Sequence, residues 1–76
     1  MSTPTQQVRK YSVRIAGHMS SVSLEPAFWE LLQDIAKLEG RSMSALISSI
    51  DEGRGTNLSS ALRLYVLNYL KSRTTA

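Results

Sequence analysis

Cysteine is absent from this chain of 76 residues, and His18 is its only histidine. A domain of this length buries only about 60% of the surface that its unfolded chain exposes, so such domains usually add disulfides, a metal or a partner chain. The missing cysteines exclude disulfides and thiolate metal sites, and a single histidine excludes a histidine-rich metal site. We therefore expect no metal and no cofactor, and we expect a second copy of the chain to complete the core.

Charged residues are distributed unevenly along the chain. Residues 1–24 contain three basic residues and no acid, residues 25–52 are mainly acidic, and residues 53–76 are basic again. A basic N-terminal arm next to an acidic middle segment indicates a face that suits a polyanion. A solvated charge pattern without any partner is the alternative interpretation.

Two short segments alternate between apolar and polar residues, which is typical of strands. Residues 8–15 place Tyr11, Val13 and Ile15 on one side and Lys10, Ser12 and Arg14 on the other. Residues 20–25 repeat the pattern, with Val22 and Leu24 on the apolar side. The sequence thus predicts two strands joined by a turn at 16–18, in which His18 is a solvated loop residue.

Helical spacing of apolar residues replaces the alternation after Pro26, which suits the first turn of a helix because it lacks an amide hydrogen. Gly40 is a helix stop, so we expect a first helix over 26–39. Ser42 or Ser44 can cap a second helix that ends near residue 52.

A loop over 53–57 separates the second helix from a third one. Asn57 can cap this third helix, which we expect over about 58–73. The segment is apolar nearly all round, and such a helix is buried on several sides. A second subunit is its natural cover in so short a chain.

The order of these segments resembles the ribbon-helix-helix DNA-binding domain family. The resemblance is carried by the strand SVSLEP at 21–26, the amphipathic helix after it, and the turn and helix start EGRSMSALI at 39–47. An extended N-terminal strand, KYSVRIAGH at 10–18, and a downstream NLSSALR at 57–63 are similar to a bacterial subgroup of that family. The resemblance covers about residues 9–72 of the chain.

The resemblance implies a mainly α-helical fold with a short N-terminal β-ribbon, an intertwined homodimer and, in this chain, a third C-terminal helix. Residues 1–7 would be a disordered tail and residues 8–73 the domain. Two chains would pair their strands across a twofold axis, and the outer face of the ribbon would enter the major groove of duplex DNA. Which strand pairs across the axis stays open at this point.

The same resemblance implies a set of DNA-contacting residues. The outer face of the strands would meet the bases, basic residues would hold phosphates, and the start of the second helix would bind a phosphate through its backbone amides. The set comprises Arg9, Lys10, Ser12, Arg14, Met19, Ser21, Ser23, Arg41, Ser42, Met43 and Ser44.

These inferences predict a homodimeric, sequence-specific DNA-binding protein, a bacterial transcriptional repressor of the cytoplasm. The alternative is a protein-interaction or antitoxin-like adaptor dimer, which the short serines of the ribbon and the acidic middle segment favour. We expect no enzyme, because Ser59 and Ser60 have no histidine base nearby and no glycine-rich phosphate loop occurs. We expect no membrane span, since no apolar run reaches about 18 residues, and the first 24 residues fit a strand better than a transit peptide.

Overall fold

A computed structural model describes residues 7–53, 55 and 57–74, which form a two-stranded antiparallel ribbon followed by three helices. The elements are β1 (Arg9–Ile15), β2 (His18–Leu24), α1 (Pro26–Glu39), α2 (Met43–Gly53) and α3 (Leu58–Thr74). The predicted fold class, a mainly α-helical chain with an N-terminal ribbon and a third helix, is confirmed. Residues 1–6 of the predicted tail lie outside the described residues.

The hairpin closes through two residues, Ala16 and Gly17, whose φ angles are 52° and 84°. Two positive φ angles define a type I′ turn, whose twist matches that of the flanking strands. The predicted turn was therefore one residue too long, and His18 is an exposed strand residue paired with Ile15 rather than a loop residue. Alanine in place of the usual asparagine hides the signature of this turn.

The two faces of the hairpin differ in burial. Val13 and Ile15 of β1 and Val22 and Leu24 of β2 are buried under the helices. Tyr11 continues this row and stacks on Trp29 of α1, with ring centroids 4.2 Å apart and planes 4° from parallel. The alternation in the sequence therefore divides the ribbon into an inner apolar face and an outer polar face.

Local signals set the ends of the helices. The amide of Gly40, at φ 67°, bonds to carbonyls of the last turn of α1. Ser42 Oγ accepts from the Ala45 amide at 3.0 Å, and Asn57 Oδ1 accepts from the Ser60 amide at 2.8 Å. Of the two serines predicted as candidate caps of α2, Ser42 is the one that caps it, and Asn57 caps α3 as predicted.

The core closes within a single chain. Its fully buried side chains come from the ribbon and from all three helices, and their exposed fraction is below 2%. They are Leu24, Leu32, Leu46, Ile47, Leu62 and Val66. Within one chain, Leu62 and Val66 of α3 cover this part of the core; the expectation that a second copy completes the core stays a prediction.

The outer side of α3 is not buried by its own chain. Leu64, Leu67 and Leu70 are 52%, 52% and 39% exposed. Its own chain therefore buries the α3 face that carries Leu62 and Val66, and burial of the other sides by a second subunit stays a prediction. Isolated exposed leucines are common on protein surfaces, but three on one short segment leave an apolar strip.

Candidate nucleic-acid interface

Six of the residues proposed for DNA contact share the outer face of the ribbon. The antiparallel register sets Lys10 opposite Ser23, Ser12 opposite Ser21, and Arg14 opposite Met19. All six side chains are exposed except that of Ser23, which is half-buried. The face carries two cations and no carboxylate, so it is a polar, positively charged surface.

Arg9 does not join this face. It lies opposite Leu24 in the register and belongs to the same row of β1 as Tyr11 and Val13, on the other side of the strand from Lys10. Its side chain is exposed, although Leu24 opposite it is fully buried. The structure thus separates Arg9 from the basic residues of the outer face.

The start of α2 is attached directly to the end of β1. The Ser44 hydroxyl donates a hydrogen bond to the Arg14 carbonyl, and the Ala16 amide donates to Ser48 Oγ at 3.4 Å. Ser44 and Ser48 are one helical turn apart, so their hydroxyls lie on one face of α2. These two contacts fix the N-terminus of α2 beside the Arg14 end of the ribbon.

The first turn of α2 suits a negative group. The Ala45 and Leu46 amides bond to Ser42, through its hydroxyl and its carbonyl respectively. The amides of Met43 and Ser44 come before these and belong to the helix end that carries the positive pole of the dipole. The first turn of α2 contains no acidic residue. The arrangement can accept a phosphate oxygen next to Arg14.

Arg41 is engaged within the protein. Its guanidinium is 3.2 Å from Glu39 Oε1 and donates to the Ala45 carbonyl at 3.1 Å and to Ser49 Oγ at 2.8 Å. These contacts tie the turn after α1 to α2. The phosphate contact proposed for Arg41 would have to share a side chain that already holds this turn.

Tyr65 of α3 joins the same cluster, which sequence reasoning missed. Its hydroxyl donates to Glu39 Oε2 at 3.2 Å. Burial, and then the nearby Glu39 carboxylate, raise the pKa of Tyr65 above its usual range. Glu39 and Tyr65 are 26 positions apart, so no local spacing reveals their contact.

Two further kinds of site concern metal ions and membranes. The described residues contain no group of three or more histidine, cysteine, aspartate or glutamate side chains that could hold a metal ion. Within the same part of the chain, no helix is both long and apolar enough to cross a membrane.

Comparison with known proteins agrees with the geometry. The model of the family described as the ribbon-helix-helix domain matches residues 8–70. Searches among curated proteins and among solved structures found no significant match. Ribbon-helix-helix domains are generally dimeric DNA-binding regulators. Since the match spans the ribbon and almost all of the three helices, the chain belongs to the ribbon-helix-helix domain family.

Proposed function

We propose that this protein is a homodimeric, sequence-specific DNA-binding protein that represses transcription in bacteria, and that its ribbon enters the major groove of duplex DNA. The observation that carries the proposal is the outer face of the ribbon. It is acid-free, it presents Lys10 and Arg14, and it lies beside the N-terminus of α2. A face of this kind meets the sugar-phosphate backbone and the bases together.

The free edge of the ribbon suggests how two copies pair. Ile15 and His18 flank the two-residue turn, so they form a hydrogen-bonded pair, and the pairing then alternates along the strands. The main-chain groups of Arg14 and Met19 therefore point away from the hairpin, on opposite edges. The Arg14 edge is partly covered by Ser44 and Ser48, whereas within the described residues nothing hydrogen-bonds to the Met19 edge.

We infer that β2 pairs with β2 of a second copy, which gives a four-stranded sheet with the β1 strands outside. Strands lie about 4.8 Å apart, so the two central strands fit a major groove about 12 Å wide, while the outer strands lie over its walls. Lys10 and Arg14 of β1 then face phosphates. Met19, Ser21 and Ser23 of β2 face the bases.

Paired proline substitutions test this pairing. Ser12 and Ser21 face each other in the register, and each amide points to the outer edge of its own strand. Proline removes that amide and is tolerated on an edge strand. We expect Ser21→Pro to be monomeric by light scattering and Ser12→Pro to stay dimeric, with similar helix content in both. A dimeric Ser21→Pro protein would exclude pairing through β2.

Binding of fragmented genomic DNA across a salt series, with sequencing of the retained fragments, tests the function. We expect enrichment of a short palindromic or repeated site and affinity that falls steeply with salt, because phosphate contacts release counterions. No retention even at about 50 mM salt would rule out DNA binding, since nonspecific basic contacts still hold under those conditions.

A second candidate is a protein-binding module, and the exposed side of α3 favours it. Leu64 and Leu67 are half exposed, and an open cavity of about 380 Å³ lies between α2 and α3, bordered by Ile50 and Tyr65. This module would show no DNA retention at physiological salt, would copurify with a partner protein, and would lose that partner on Leu64→Ser and Leu67→Ser substitution.

A further inference from the structure

The outer face of the ribbon contains one large apolar side chain. Met19 is 64% exposed, whereas every other residue on that face is serine, lysine or arginine. The hairpin places its other apolar residues on the inner face, where Val22 and Leu24 of the same strand are buried. Met19 therefore contributes little to the core, and burial does not explain why an apolar residue occupies this position.

The position of Met19 is tightly defined. It faces Arg14 across the hairpin in a non-hydrogen-bonded pair, in which opposite Cβ atoms are about 4.5–5.5 Å apart. The Arg14 carbonyl is in turn held by the Ser44 hydroxyl at the start of α2. A phosphate bound by Arg14 and by the first turn of α2 would thus fix the distance between Met19 and the DNA.

Base edges in the major groove differ in one respect that a methionine can detect. Donors and acceptors distinguish most bases, but the C5-methyl group of thymine is apolar. Serine hydroxyls bond to several base edges and discriminate weakly. An apolar side chain among serines gains free energy only where it covers another apolar group.

We propose that Met19 determines sequence specificity by packing its thioether side chain against the C5-methyl group of a thymine in each half-site. This inference rests on the proposed function, since it assigns a base to one position of the same surface. A flexible, polarisable methionine suits a contact with a single methyl group, because it can adjust its rotamers without moving the ribbon.

Replacement of single thymines by uracil in the tightest duplex from the genomic selection tests the proposal. Uracil keeps every hydrogen-bonding group of thymine and lacks only the methyl group. We expect one symmetry-related thymine position at which uracil weakens the wild-type protein about fourfold per half-site, the worth of one buried methyl group. Met19→Ala should bind the thymine and uracil duplexes equally, whereas Met19→Leu should keep a preference for thymine.

Ser20→Ala is the matched control, because it truncates the next residue of β2, which is exposed on the opposite face of the ribbon, and it should leave the thymine preference unchanged. The inference is wrong if the wild-type protein binds its site but tolerates uracil everywhere, or if Met19→Ala discriminates as the wild type does. Either result leaves DNA binding intact. A failure of the proposed function itself is recognised earlier, because then no duplex is selected.

Discussion

The inner and outer faces of the ribbon are built from the same two strands, yet different demands determine their residues. On the inner face, Val22 and Leu24 are 3% and 0% exposed, and each contacts a core that all three helices share. On the outer face, Ser21 and Ser23 alternate with them; Ser21 is exposed and Ser23 is half-buried. Because successive side chains point to opposite sides of a strand, a single register serves both faces.

This difference separates stability from recognition within one hairpin. A substitution on the inner face must change the free energy of unfolding, since the core cannot refill the lost volume. A substitution on the outer face can change what the protein binds without affecting the fold. Residues on the two faces can therefore be substituted independently. A change on the inner face should alter stability, and a change on the outer face should alter binding alone.

The largest expected effect follows Leu24→Ala. The side chain is fully buried, so truncation removes apolar contacts and leaves a cavity, and the free energy of unfolding should fall by about 2–5 kcal/mol. Urea unfolding monitored by the fluorescence of Trp29, the only tryptophan, measures the change. Ser21→Ala on the outer face should stay within about 0.5 kcal/mol of the wild type. A comparable loss in both variants would show that the faces are not independent.

The next largest effect is a loss of DNA affinity in the double variant that combines Lys10→Ala with Arg14→Ala. Each phosphate contact that is lost should reduce the salt slope by about 0.9 and weaken binding about fivefold at about 0.15 M salt. The midpoint of thermal unfolding should hardly move, because both side chains are exposed. Fluorescence anisotropy of a labelled duplex across a salt series gives both quantities.

Lys37→Ala with Arg73→Ala is the control for that double variant. This control also removes two positive charges, but from exposed positions on α1 and α3. If both double variants lose affinity equally, the net charge of the protein rather than the outer face governs binding. If only the ribbon variant loses affinity, the outer face is the contact surface.

A smaller effect is expected at the turn that joins the two faces. Ala16 has a φ angle of 52°, a conformation that asparagine adopts at lower cost than alanine. Ala16→Asn creates the Asn-Gly sequence preferred in type I′ turns and should raise the free energy of unfolding by about 0.5–1 kcal/mol.

Gly17→Ala is the converse of that change. A Cβ atom at Gly17 would meet no other atom within 4 Å, so only the backbone strain at φ 84° opposes it. The expected loss is about 1 kcal/mol. Equal unfolding midpoints for Ala16→Asn, Gly17→Ala and the wild type would show that this turn does not contribute to the stability of the hairpin.

The sequence predicts the helices and the two faces because their signals are local. Pro26 and Gly40 mark the ends of α1, and alternation over a few residues separates inner from outer positions. The type I′ turn escaped prediction because Ala16 has no intrinsic preference for positive φ. A turn at this place was predicted, but its type and its two-residue length depend on the register of the strands on both sides.

Long-range contacts were beyond sequence reasoning. The hydroxyl of Ser44 meets the Arg14 carbonyl 30 positions away, and Arg41 is held by Glu39 and Ser49 rather than left free for a ligand. Which side of α3 packs on its own chain was beyond sequence reasoning for the same reason. The apolar residues of α3 lie nearly all round the helix, so periodicity does not show which of them its own chain buries.

The smallest expected effect concerns Glu25, which follows β2 and connects the inner face to α3. The Arg63 side chain donates to Glu25 Oε1 at 2.9 Å, and this hydrogen bond holds the pKa of Glu25 below its ordinary value of 4.5. A carboxylate with a depressed pKa stabilises the fold above its ordinary pKa, and this contribution is lost as the pH falls through the lower value in the folded protein. Both side chains are about one third exposed, so water screens the ion pair and its effect on stability is small. Glu25→Gln should melt slightly below the wild type at neutral pH, and the two melting curves should converge in acid. A gap that persists unchanged at pH values well below 4.5 would mean that the size or packing of the side chain, not its charge, links β2 to α3.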